Sequence, residues 1–168
     1  TELTIITRQG ITWSDGTPGS IEDFKLAFRI NCDRSSGATE FNTCDSFGTE
    51  ADPLSNIAFS ESELAYTITY WPGVQDPTYA VAPFTIAPAV ATYPSHQILG
   101  DGRKLAEVPA SEWSTLPEIA ETPLSFGAFM VSEWIKGQSI TFERNPYYQG
   151  EVGAQRVVIV IVEDTQQL

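Results

Sequence analysis

The stretch "ITWSDGTPGSIEDFKLAF", residues 11 to 28, sets a serine beside an aspartate on a loop-like segment. Ser14 as a nucleophile would need a general base within hydrogen-bond reach, and the chain holds one imidazole, His96. A Ser-His-Asp assembly therefore rests on a single possible pairing, and the local sequence offers another reading. Asp15-Gly16 is a turn dipeptide that Thr17-Pro18-Gly19 prolongs, so the stretch reads as a turn, with Ser14→Ala expected to cost little. Two carboxylate pairs, Glu61/Glu63 and Glu118/Glu121, would suit glycoside hydrolysis if they faced a cleft. In so acidic a chain such pairs more often lie on solvated turns. His96 has no second His or Cys at ligand spacing, which leaves no metal site and a structural role. "GDGRK" at 100 to 104 lacks the glycine spacing and the hydroxyl residue of a phosphate-binding loop.

Cys32 and Cys44 bracket a loop rich in Ser, Gly, Thr and Asn. With no third Cys or His nearby they cannot complete a zinc site, and the choice lies between a disulfide and two buried thiols. The disulfide is the better reading. It would close a loop whose constraint stabilises by about 3 kcal/mol, and it would place the protein outside the cytoplasm.

The elements that must position these residues belong to a chain of 168 residues, enough for one sizeable core or two small ones. A hydrophobic content of 42% and a charged content of 18% fit a folded chain. The net charge of -13, with 9 Lys+Arg against 22 Asp+Glu, excludes a cationic footprint for nucleic acid or an anionic membrane. The longest apolar run, "VVIVIV" at 157 to 162, suits a buried strand and is too short to span a bilayer. The chain opens on Thr1 without a targeting segment, so any such signal is expected to have been removed or to lie outside this sequence. Trp13, Trp71, Trp113 and Trp134, with six Tyr and nine Phe, exceed what a small catalytic core needs, and some of these rings could line a cavity.

Alternation starts at once, with Leu3, Ile5 and Thr7 on one face and Thr4, Ile6 and Arg8 on the other, ended by Gly10. Ser20 with Asp23 has the form of a capping box and predicts a helix from Ile21, covered on two sides and closing near Cys32. "NIAFSESELAYTITYWPG" predicts a hairpin turning at Glu61 to Glu63. Prolines punctuate Val74 to Ala91 and predict short extended pieces, while "YPSHQIL" predicts one or two helical turns capped by Ser95. Short helices in an irregular connection are expected from 100 to 127. "AFMVSEWI" and "QSITFERN" predict a second hairpin, closed by Asn145-Pro146. The strand Arg156 to Val162, apolar on both faces, is expected mid-sheet. "EDTQQL" reads as a helix beginning, which suggests a piece of a longer protein.

Two stretches carry a resemblance. "LTIITRQGITWSDGTPGSIEDFKLAF" resembles a segment of the family 5 extracellular solute-binding proteins, the oligopeptide, dipeptide and nickel receptors of ABC importers. In that family a strand leads to Gly-Val-Lys-Trp-Ser-Asp-Gly-Thr-Pro and then to a helix with Ala-Glu-Asp-Val. "TPLSFGAFMVSEWIKGQSITFERNPYYQG" with "VVIVIVEDTQQL" resembles the later segment, where Gly-Thr-Gly-Pro-Tyr leads to a hairpin, Glu-Arg-Asn-Pro-Tyr-Tyr and a strand ending in Pro-Asp-Thr. "YTITYWPGVQDPTYAVAPF" is similar to a third, looser segment. The chain departs from the pattern at Gly127-Ala128-Phe129, where the family has Gly-Pro-Tyr, and in "LSF" ahead of Gly127.

The resemblance implies an α+β fold, a β-rich mixed sheet with hairpins and a few helices, forming part of the first lobe of a type II-like periplasmic-binding-protein fold. Residues 1 to 121 would be the small subdomain of that lobe and 122 to 168 a hairpin and strand of its main sheet, with the second ligand-binding lobe absent. It makes Trp13 to Asp23 a folding signature with Trp13 as a core anchor. It implies a receptor, not an enzyme, that captures a peptide or another small molecule by hinge closure, with a membrane permease as partner and no nucleic acid. It further implies no cofactor and an extracytoplasmic place, periplasmic or at the cell surface, with lipoprotein anchoring. The loop "TPLSFG" then sits where the family's Gly-rich loop approaches the cleft, which makes Leu124, Ser125 and Phe126 the expected ligand-facing residues. The alternative from another class is a secreted carboxylate-dependent hydrolase.

Overall fold

The computed structural model describes residues 1–37, 44–49, 51–52, 54–74 and 92–162. The proline-punctuated stretch lies outside these residues from 75 to 91, as does the expected terminal helix. The chain divides into two compact units. The first comprises Thr1–Gln9 and Gly19–Ser114, and the second Gly10–Pro18 and Thr115–Leu168. The Trp13 turn thus groups with the C-terminal segment, although it lies between the first strand and the first helix in sequence.

In the first unit, strand β1 (Glu2–Ile6) is followed by helix α1 (Ile21–Cys32), then by β2 (Ile57–Ser60) and β3 (Ala65–Thr69). The strands form an antiparallel sheet in the order β1-β3-β2, with Ile5 opposite Tyr66 and Phe59 opposite Tyr66 on its other side. The helix begins where the capping pattern predicts, because the Asp23 carboxylate accepts the Ser20 amide at 2.9 Å. It is covered on two sides: Phe24 and Phe28 are buried, and so are Leu26 and Ile30. Phe28 is the hub of the core. Its ring meets Tyr66 at 5.2 Å, Phe59 at 6.1 Å and Phe47 at 6.2 Å, each edge to face, the arrangement that ring quadrupoles favour. Cys32 closes the helix and is joined to Cys44, with Cα atoms 5.7 Å apart, so the disulfide reading holds over the thiol one.

"YPSHQIL" corrects one expectation. Ser95 does not cap a helix: its amide and hydroxyl both donate to Asp23, at 2.9 and 2.7 Å, and the chain forms a turn instead, with Gln97 N–H on the Pro94 carbonyl. Beyond it, short 3-10 turns at Leu105–Glu107 and Ala110–Thr115 give the irregular connection expected there. Trp113 is buried against Tyr93, with ring centroids 4.7 Å apart.

In the second unit, helix α2 (Pro117–Ala120) precedes β4 (Phe129–Ile135), β5 (Ser139–Arg144) and β6 (Arg156–Val160), an antiparallel sheet in the order β4-β5-β6. The hairpin turns at Lys136-Gly137, where Gly137 takes φ +76°. A bulge between Val131 and Glu133 shifts the register of β4 against β5. The expected mid-sheet place of the last strand is not found. Among the described residues β6 pairs with β5 alone, and its apolar residues are exposed, Val160 at 64%. The register sets Trp134, Ile140 and Ile159 in one cross-strand row.

Candidate functional site

The loop expected to face a ligand, Thr122 to Gly127, lies in the second unit, and what holds it is read from that unit's other two segments. The first is the turn around Asp15. Gly16 N–H returns to the Trp13 carbonyl at 2.9 Å, and Trp13 N–H to the Thr17 carbonyl at 2.8 Å. The Asp15 carboxylate accepts the Thr17 amide at 2.9 Å, an Asx turn. Gly16 sits at φ +90°, a conformation open to glycine, and a Cβ there would come within 3.0 Å of the Tyr147 ring. Thr12 and Pro18 close the turn as an isolated bridge. Asp15 is thus occupied in building a turn, as the Asp-Gly dipeptide predicts.

Trp13 is 2% exposed and meets Phe126 edge-on, with centroids 4.6 Å apart. It is a core anchor, as expected, in the unit that holds the loop. The Ser14 hydroxyl accepts the Ser125 amide at 3.2 Å. The serine thus ties the turn to the loop, a contact between distant segments that the turn reading does not include.

The second holding segment follows β5. Asn145, 1% exposed, donates its side-chain amide to the carbonyls of Ser125 at 3.2 Å and Gly127 at 2.9 Å. Its side-chain oxygen accepts the Tyr147 amide at 3.0 Å, and its own N–H reaches the Ala128 carbonyl at 3.0 Å. Gln149, two residues beyond Tyr147, donates to the carbonyl of Gly10. Leu124, Ser125 and Phe126 therefore stand together, each half-buried, on a loop that the two sequence motifs grip from separate positions in the chain. Asn145 was missed at the sequence level, where Asn-Pro reads only as the end of a hairpin; a polar residue directly after an alternating strand was the available signal.

The other candidates do not assemble. Glu61 and Glu63 are both exposed on the β2–β3 turn, where the Glu63 carboxylate accepts the Ser60 hydroxyl at 3.3 Å. Glu121 pairs with Lys136 at 2.5 Å. No group of three or more His, Cys, Asp or Glu that could hold a metal occurs among the described residues. A surface cavity of about 480 Å³ opens beside the disulfide in the first unit, lined by Arg29, Arg34, Asp33 and Asp45 among others. Both expected carboxylate pairs lie outside it. Within it, the Ser35 hydroxyl and amide bind the Asp33 carboxylate and hold it below the usual carboxylate range.

The family model described as bacterial extracellular solute-binding proteins, family 5 Middle, matches residues 1–168. The oligopeptide-binding protein OppA of Lactococcus lactis subsp. lactis is 24% identical over 161 residues, which is 88% of this chain and 25% of that protein. The structure of lactococcal OppA, closed on an endogenous peptide, superposes with a TM-score of 0.73 at 19% identity, over 96% of this chain and 30% of that one. AppA of Bacillus subtilis, solved with a nonapeptide, gives 0.70 at 15% identity, over 99% of this chain and 29% of that one. NikZ of Campylobacter jejuni, solved with Ni(L-His), gives 0.70 at 17% identity, also over 99% and 29%. The chain thus spans between a quarter and a third of the length of these relatives, and its fold is that of part of their first lobe.

Proposed function

The chain belongs to the bacterial extracellular solute-binding proteins of family 5, and on that premise we propose that the protein containing it captures a peptide outside the cytoplasm and delivers it to the permease of an ABC importer. The observation that carries this reading is the match of the family model across the entire chain, in a family defined by solute binding. The name of the lactococcal relative and the ligands of two structural neighbours favour peptide as the solute class, whereas the Ni(L-His) of the third keeps a small metal chelate as the comparison ligand.

Capture proceeds by hinge closure of a second lobe over the first, with the solute between them. Residues 1 to 121 serve as the small subdomain of the first lobe and 122 to 168 contribute to its main sheet, with the turn at 10–18 and residues 115–121 grouping with the latter. Leu124, Ser125 and Phe126 form a short wall of the ligand cleft, an apolar surface on a rigid support. The Cys32–Cys44 bridge supports an extracytoplasmic setting, where disulfides persist, and a lipoprotein anchor would hold the receptor near its permease. The protein does no covalent chemistry on its solute. The hydrolase alternative gains no support, since Glu61 and Glu63 stand exposed on a turn and Glu121 is spent on Lys136.

Calorimetry on the full-length receptor tests the reading, with a synthetic nonapeptide and Ni(L-His) as probes. Saturable binding of the nonapeptide, with no cleavage product by mass spectrometry, supports it. Release of hydrolysed fragments, or binding of the nickel complex alone, removes the peptide-receptor reading.

A further inference from the structure

We propose that Asn145, assisted by Ser14, is the positioning residue of the candidate ligand wall: it fixes the main chain on both sides of Phe126 and so sets where that residue meets a bound peptide. The proposal rests on the reading of Leu124 to Phe126 as part of the ligand cleft, and it adds the residues that make such a wall rigid.

The main-chain groups on either side of Phe126 are already occupied. The Ser125 N–H goes to the Ser14 hydroxyl and the Ser125 carbonyl to Asn145. The Gly127 N–H goes to the Ser125 hydroxyl and the Gly127 carbonyl to Asn145. All four main-chain groups flanking Phe126 are therefore committed within the chain. The N–H and C=O of Phe126 itself carry no hydrogen bond among the described residues. Its ring rests edge-on against Trp13. Ser125, expected to face the ligand, gives its amide to Ser14 and its carbonyl to Asn145, and its hydroxyl accepts Gly127 N–H, so it keeps only its O–H hydrogen for a ligand beside Leu124 and Phe126.

Asn145 suits this task because a primary amide carries two donors and one acceptor on a single plane. Two donors hold two carbonyls of one loop, and the acceptor holds Tyr147 N–H on the residue's own side. Its burial excludes water as a substitute partner. Aspartate has the same shape and keeps the acceptor, yet it sets a carboxylate oxygen against two carbonyl oxygens. Asn145→Asp therefore removes the grip without removing volume.

The test uses the full-length receptor as wild type, Asn145→Asp, Ser14→Ala, Ser14→Thr and Phe126→Ala. Amide hydrogen exchange is followed through 122–127 and through β4 and β5, and nonapeptide affinity by calorimetry. Asn145→Asp is expected to raise exchange at Ser125 and Gly127 at least tenfold, to leave the β4 and β5 amides unchanged, and to weaken nonapeptide binding about tenfold. Ser14→Ala shifts both readouts the same way by less, and Ser14→Thr, which keeps the hydroxyl, restores them. Unchanged exchange at Ser125 and Gly127 in Asn145→Asp overturns the grip. Exchange that rises equally through β4 and β5 reduces Asn145 to a residue of general stability and overturns its positioning role. A loosened loop with undiminished affinity overturns the positioning role, while a Phe126→Ala variant that binds as wild type, or a wild type that does not bind the nonapeptide, overturns the reading of the wall and leaves only the grip.

Discussion

Trp13 and Phe126, separated by most of the chain, meet edge to face with ring centroids 4.6 Å apart, inside the unit that also holds the loop on which Phe126 lies. One ring comes from the Trp-Ser-Asp-Gly-Thr-Pro turn and the other from the stretch ahead of the second hairpin. The pair explains why two segments so distant in sequence belong to one compact unit.

Trp13 is almost fully buried, so its truncation opens a large cavity beside Phe126. Trp13→Ala is expected to cost about 3 to 5 kcal/mol, the range for large aromatic truncations in a core. Denaturant titration of the variant against wild type measures it. A loss under about 1 kcal/mol would mean that Trp13 is not the anchor of the second unit.

How much of this was legible beforehand depends on whether the signal was local. The first helix was readable because Ser20 and Asp23 carry their own start signal, and both hairpins because alternation and turn residues act over a few positions. Ser95 was misread as a helix cap because the donor and acceptor groups of a serine suit a local cap and a distant carboxylate equally well; Asp23 took them. For a related reason the sequence does not place the last strand, which among the described residues pairs with β5 alone. An apolar pattern on both faces says that both need cover, and it does not say which strands or helices supply it. At the site, the turn at Asp15 was legible and its partners were not, since the Ser14–Ser125 and Asn145–Gly127 bonds depend on a meeting of segments that no short window contains.

Among the described residues the Asp23 carboxylate accepts the Ser20 amide on one oxygen and the Ser95 amide and hydroxyl on the other, and Asp23 is 2% exposed. Asn at this position offers one acceptor oxygen and sets an NH2 against a donor. Asp23→Asn is expected to cost about 1 to 3 kcal/mol, the penalty of unsatisfied buried donors. Thermal unfolding checks the loss, and Ser95→Ala should recover part of it in the Asp23→Asn background, since it removes one of the stranded donors. Additive losses would show that the two residues act independently.

The Cys32–Cys44 bridge ties the end of α1 to the turn that carries Phe47, whose ring packs on Phe28 and, at 5.9 Å, on Tyr70. Paired replacement by Ala is expected to cost about 3 kcal/mol by releasing the closed loop in the unfolded chain. Mass spectrometry of the unreduced protein should show the deficit of one bridge. Two free thiols in freshly secreted protein, or no stability change in the double variant, would remove the bridge from the account of this core.

Tyr66 sits at the centre of the first unit, against Phe24, Phe28 and Phe59, and its buried hydroxyl has no hydrogen-bond partner among the described residues. Burial pushes its phenol well above the ordinary value of 10.0, with Tyr70 adding to the shift. The raised pKa means that the native state holds this proton more tightly than the unfolded chain does. The associated stability is fully present below about pH 10, where the unfolded phenol is still protonated, and it is lost as pH rises further. Tyr93, also raised by burial, titrates in the same sense. Tyr66→Phe removes an unpaired hydroxyl and one of these titrating groups. The variant is expected to be at least as stable as wild type at pH 7 and to lose less stability between pH 9 and 11, with Tyr93 accounting for part of what remains. Urea titrations across that range measure the difference. A variant destabilised by more than about 1 kcal/mol at pH 7, the worth of a satisfied hydrogen bond, would show that the hydroxyl has a partner after all.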